Sequence, residues 1–206
     1  MKCNKVNANL LRSLSYFMCC LLLICSNASA TTFKISTASF VGQTGGVAFD
    51  LIDGGTPNNS FTLTNFNFGP GSSVASNTQI GGVVGDVASN VFFNDSSFFN
   101  ELFVELSFGN YITFDIINAT NLSPDSSSFP DAFSVFILDS SGQSLLSTLD
   151  PTGSDALFRW DSGSNPATNI FSSTVTLIPE PNIIYLLFAG LFVLPFFLKH
   201  NGAEIK

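Results

Sequence analysis

Between Thr31 and Ile178 the apolar residues fall in short runs, most of them alternating with polar ones, and clusters of Gly, Asn, Ser, Asp and Pro separate the runs. No stretch carries the 3.6-residue repeat that gives a helix one apolar stripe. A period of two puts every second side chain on the same face of an extended chain, which restricts this segment to strands. Candidate strands span 33–36, 47–53, 60–68, 102–108, 112–118, 133–139, 145–149, 157–160 and 173–178. Many short strands at this spacing predict an all-β domain over 31–178, a β-sandwich of jelly-roll type.

Parity predicts register in places. Leu102, Val104, Leu106 and Phe108 share one face, and Ile112, Phe114 and Ile116 share another. A three-residue loop over Gly109–Tyr111 would join the two strands in a hairpin, oppose Leu106 to Phe114 and turn both sets inward. Glu105 and Asp115 would then face solvent. The run 133–138 is apolar on both faces apart from Ser134, so it should be central in its sheet. Phe61 and Leu63 are out of phase with Phe66 and Phe68, which predicts a bulge near Thr64-Asn65. Residues 69–89, rich in Gly, Ser, Val and Asn, read as a long loop or a weak edge strand.

The two ends have a different composition. Lys2, Lys5 and Arg12 precede an apolar run over 14–24, and Ala28-Ser29-Ala30 follows. This is the pattern of a secretory signal peptide over 1–30, cut by signal peptidase between Ala30 and Thr31 with Ala28 and Ala30 as the small recognition residues. All four cysteines (Cys3, Cys19, Cys20, Cys25) lie inside it, so the mature chain has no disulfide and no thiolate ligand. At the other end, 183–198 is an uncharged run of 16 residues, roughly 24 Å long as a helix. It predicts one transmembrane helix, with the basic end 199–206, led by Lys199, on the cytoplasmic side. Pro179-Glu180-Pro181 stands just before it and cannot lie in a helix or strand interior.

Leader, Pro-Glu-Pro motif, short apolar span and basic end, in this order, resemble the PEP-CTERM family of bacterial exported proteins. Asn182 stands where that family's tails commonly carry Ser or Thr, and Lys199-His200 where they carry an arginine cluster. The resemblance makes 179–206 a sorting tail. It implies processing by an exosortase, a membrane-embedded cysteine protease or transpeptidase, with Pro179, Glu180 and Pro181 as the recognition residues. It also implies transient anchoring in the inner membrane, delivery to the cell surface or extracellular matrix, and an association with exopolysaccharide and biofilm. Phe98-Phe99-Asn100-Glu101 and Pro130-Asp131-Ala132-Phe133-Ser134 are similar to an ectodomain type in one PEP-CTERM subgroup, which implies no activity.

Charge and side-chain inventory narrow the chemistry. Over 31–178, 13 acidic residues stand against two basic ones, Lys34 and Arg159, a net charge of −11. Such a surface repels nucleic acid and anionic membranes. The lone histidine is His200, so 31–178 has neither His nor Cys for nucleophilic catalysis or for zinc and iron sites. No phosphate-binding loop or dinucleotide fingerprint occurs. An enzyme is therefore not expected. Two carboxylates could still make a glycosidase, from Asp50 with Asp53 or Glu101 with Glu105. Calcium is a second option, since Asp125, Asp131, Asp139, Asp150 and Asp161 offer hard oxygen ligands, with Asp125 and Asp131 the candidates carried forward. Local turn hydrogen bonding is the competing reading of these aspartates. Of 23 phenylalanines, 18 lie in 31–178. They suit a packed core better than a sugar platform, for which Trp160 and Tyr111 are the only usual aromatics. A structural or interaction protein is thus the first expectation, and a carbohydrate-binding module, with or without calcium, the alternative.

Overall fold

The computed structural model describes residues 30–55, 59–117, 119, 131–161 and 167–178. The leader up to Ser29, the Pro-Glu-Pro motif, the 183–198 run, Lys199 and Asp125 lie outside the described residues. Among the described residues no helix is long and apolar enough to cross a membrane.

The chain is all-β. In order, the strands are β1 (Thr31–Ser36), β2 (Thr44–Ile52), β3 (Ser60–Asn67), β4 (Ser73–Ile80), β5 (Val83–Gly85), β6 (Asn90–Asn94), β7 (Phe99–Ser107), β8 (Tyr111–Ile117), β9 (Ala132–Asp139), β10 (Phe158–Asp161), β11 (Ala167–Ile170) and β12 (Val175–Ile178). They form two antiparallel sheets of six: sheet A in the order β12-β1-β8-β3-β6-β5, and sheet B in the order β11-β10-β9-β2-β7-β4. Alternation along the strands sends one face of each sheet inward. Phe33, Phe61, Phe93 and Phe114 from sheet A meet Phe49, Phe133 and Phe158 from sheet B. The rings interlock, with Phe33 stacked on Phe158 at 4.3 Å and Phe61 edge-on to Phe133 at 4.8 Å. Phenylalanine thus packs the interior, and Trp160 also turns its ring edge-on to Phe61 at 5.7 Å.

The inward faces of β7 and β8 are as parity predicts: Leu102, Val104, Leu106, Phe108, Ile112, Phe114 and Ile116 are all buried. Glu105 is exposed, and Asp115 lies on the outer face, where Thr32 Oγ1 (2.6 Å) and Asn65 Nδ2 (2.7 Å) donate to it. The expected hairpin does not form. β7 pairs with β2 and β4 in sheet B, whereas β8 pairs with β1 and β3 in sheet A. The chain crosses between sheets at Phe108–Tyr111, and Leu106 does not oppose Phe114. Buried Thr37 fixes this crossing: its Oγ1 donates to the Gly109 carbonyl (2.7 Å) and its N–H to that of Asn110 (3.0 Å). Gly109 is required there, because a Cβ would lie 2.7 Å from the Phe68 carbonyl and 2.8 Å from that of Pro70.

Other strands follow or depart from the pattern for local reasons. β9 has β10 and β2 on its two sides, so it is internal to its sheet. Register shifts between Thr64 and Asn67, with Asn65 at φ 55, which is the bulge that the phase change of Phe66 requires. Residues 69–89 supply the edge strands β4 and β5. The segment 145–149 is not a strand. Asp139 closes a turn on Ser141 and Gln143, a single bridge joins Leu138 to Ser144, and Ser144 Oγ then bonds the Leu146 carbonyl and curls the chain away. The short strands β6 and β11 fall outside the candidate runs.

Register also aligns the ends. Thr32 opposes Ile178, and Thr31 opposes Ile116 at the end of β8, near the start of β3. One pole of the sandwich therefore carries the start of β1 and the end of β12.

Candidate functional site

At that same pole three aspartates converge. Asp53 follows β2, Asp95 follows β6 and Asp131 precedes β9. Pairing of Ile52 with Ala132 brings Asp53 and Asp131 to adjacent strand ends, and pairing of Ser60 with Asn94 brings Asp95 up from the other sheet. One carboxylate oxygen of each lies within 4.8 Å of the other two. Asp95 and Asp131 are buried, at 2% and 6% exposure, and Asp53 is half-buried.

Backbone and amide donors hold the carboxylates in place. Gly54 N–H donates to Asp131 Oδ1 (2.7 Å), Asn59 N–H to Asp95 Oδ2 (2.7 Å) and Gly55 N–H to Asp53 Oδ1 (2.9 Å). The Asn59 side-chain amide donates to Asp131 Oδ2. These bonds fix the three carboxylates at the strand ends. An all-oxygen set without imidazole or thiolate fits calcium or magnesium and not zinc or copper.

Of the two calcium candidates, Asp131 enters this cluster and Asp125 lies outside the described residues. Asp139, Asp150 and Asp161 do not join it. Hydrogen bonds from Gln143, then Ser141, hold Asp139 below the usual carboxylate range. Burial opposes ionisation at Asp150, but Ser154, Thr152 and Ala156 donate to it and bring it down to about 2. Asp161 pairs with Arg159. Turn and strand hydrogen bonding accounts for these three. Asp95 escaped the sequence reading, and Asp53 entered it only as a glycosidase carboxylate. No local signal marks Asp95, because only strand register brings it to Asp53 and Asp131.

A second carboxyl site lies on the outer face of sheet B. Asp50 and Glu101 sit directly opposite each other on β2 and β7, with Ser134 on the other side of Asp50. Asp50 Oδ1 is buried without a hydrogen-bond partner. Burial, then the Glu101 charge and a hydrogen bond with Glu101, push Asp50 up to about 7. Burial also raises Glu101, against the bond from Asp50. Asp50 is the more enclosed of the two and so holds the shared proton.

Neither nominated glycosidase pair comes together. Asp53 belongs to the aspartate cluster, and Glu105 accepts from Ser76 Oγ at 3.0 Å. Glu101 and Glu105 are four residues apart on one strand, roughly 13 Å, beyond the about 5–9.5 Å that glycosidases use. The pair that does meet, Asp50 with Glu101, shares a hydrogen bond and leaves no space for a glycosidic oxygen between its members.

The fold and these sites define an antiparallel two-sheet β domain with an oxygen-ligand cluster at one pole. Compared with known proteins, the chain matches no family model, no curated protein and no solved structure.

Proposed function

We propose that this chain is an exported, exosortase-processed protein of the cell surface or extracellular matrix, with a structural or interaction role tied to exopolysaccharide. The observation that carries the reading is the bracketing of a β domain by a leader with its Ala28-Ser29-Ala30 site and by Pro179-Glu180-Pro181 with the 183–198 run. The domain between them has neither His nor Cys. Its nested pairing, β1 with β8, β2 with β7 and β3 with β6, supports a jelly-roll topology extended by β9–β12. The 183–198 run acts as a transmembrane helix until cleavage, and signal peptidase and the exosortase are the processing partners. Intact-mass measurement of surface material should find a chain that begins at Thr31 and lacks 183–206. A mature form that retains 183–206 would reject the processing.

A second reading is a calcium-dependent carbohydrate-binding module, favoured by the convergence of Asp53, Asp95 and Asp131. Calcium in excess of its dissociation constant by about 100-fold would stabilise the fold by about 2.7 kcal/mol. The full chain should melt several degrees higher in millimolar calcium than in chelator, and D95N with D131N should abolish the difference. Binding to the host's own exopolysaccharide should fall on chelation. No thermal shift with calcium removes the ion, and no polysaccharide binding removes the module.

A further inference from the structure

Sheet A ends on β12 and β5, and sheet B ends on β11 and β4. β12, β11 and β5 have four, four and three residues, whereas β4 has eight. An unpaired strand edge offers a row of N–H and C=O groups to any other strand, and proteins usually blunt it with shortness, charge or proline. Ser73–Ile80 has no charged residue and no proline. Seven of its eight residues are exposed and Asn77 is half-buried, so the strand overhangs the interior. Val74 and Ile80 are 42% and 50% exposed. Among the described residues no strand pairs with its outer edge. Backbone pairing to β7 on one side alone opposes the entropy of ordering eight residues that bury almost nothing.

We propose that the outer edge of β4 is a self-association surface, where a second copy of this chain adds its own β4 antiparallel about a two-fold axis. The two sheets B then become one sheet of twelve strands. Length selects this edge, since β12, β11 and β5 are also free of charged residues but have at most four residues, and its neutrality admits a second copy. Two copies of a domain with net charge −11 can meet only where carboxylates stay apart, and β4 is neutral. The nearest carboxylates across the sheet are Glu101 and Glu105 of β7, paired to Ile80 and Ser76. In the order β7-β4-β4-β7 they stand roughly 14 Å from the other copy's β7. That exceeds the Debye length of about 8 Å at physiological salt. A strand paired antiparallel with itself is self-complementary, which an isologous interface requires. The register shift between Val74 and Ser76 leaves 76–80 as the regular stretch that pairs.

The test is cysteine cross-linking of the full chain in detergent, with Cys3, Cys19, Cys20 and Cys25 changed to serine. Single cysteines are placed in turn at 76, 77, 78, 79 and 80, with T176C on β12 as the reference edge. A two-fold axis normal to the sheet sets one residue against its own copy. Disulfide dimer should therefore peak at one position, at least fivefold above T176C. A flat profile at the T176C level overturns the proposal. T78E should weaken association at least tenfold at low salt, with recovery at 0.5 M salt, which a misfolded variant would not show. Association that T78E leaves unchanged also overturns it.

Discussion

Asp50 places a carboxyl between Ser134 and Glu101 with one oxygen buried and unpartnered, and its pKa of about 7 makes folding pH-dependent. Between about 4 and 7 the folded chain binds a proton at Asp50 that the unfolded chain releases, so this group's contribution to stability falls as pH rises through that window. Asp50→Asn should remove that slope and raise stability at pH 8 by about 1–3 kcal/mol, read as the difference from the parent in denaturant unfolding at pH 4 and pH 8. Thr37 is the opposite case, a buried polar group with its hydrogen bonds made. Thr37→Val should cost about 1–2 kcal/mol, because the Gly109 carbonyl loses its donor inside the protein. Asp131 was readable as a candidate ligand, one of several aspartates whose surroundings offer hard oxygen atoms. Asp95 was not, because its partners lie 42 and 36 residues away in the chain and only strand register brings them near.

At the level of strands, faces were legible and partners were not. A period of two determines which side chains turn inward, whichever strand lies alongside. A hairpin and a crossing to the other sheet both bury Leu106 and Phe114. The contact that decides between them joins Thr37 to Gly109, 72 residues on, and leaves no mark in the local pattern. Gly109→Ala should therefore strain the crossing by about 2 kcal/mol, a loss that thermal unfolding would register, since the new methyl meets backbone carbonyls that cannot rotate away. The short strands β6 and β11 were missed for a related reason. Asn-Val-Phe-Phe-Asn and Ala-Thr-Asn-Ile do not alternate apolar and polar residues, so neither shows a period of two.

The whole domain relies on aromatic packing, with no cysteine in 31–178 to cross-link it. Phe133 lies near the middle, within ring contact of Phe49, Phe61, Phe93 and Phe158. Phe133→Ala should cost about 3–5 kcal/mol in denaturant unfolding. The net charge of −11 acts against compactness at low ionic strength, so the melting temperature should rise as sodium chloride is added from 10 to 150 mM.

Thr32 and Ile178 face each other across neighbouring strands, and both lie at the pole that gathers Asp53, Asp95 and Asp131. A polypeptide tethered to a bilayer at its two ends must bring those ends together before it can close, and many topologies forbid that. This one starts and finishes side by side. Were both ends held at a membrane, as proposed above, the domain could still complete its folding, and releasing either end would leave β1 and β12 paired. Load applied between the two ends, in contrast, would peel that pair apart one hydrogen bond at a time, so the fold resists pulling there only weakly.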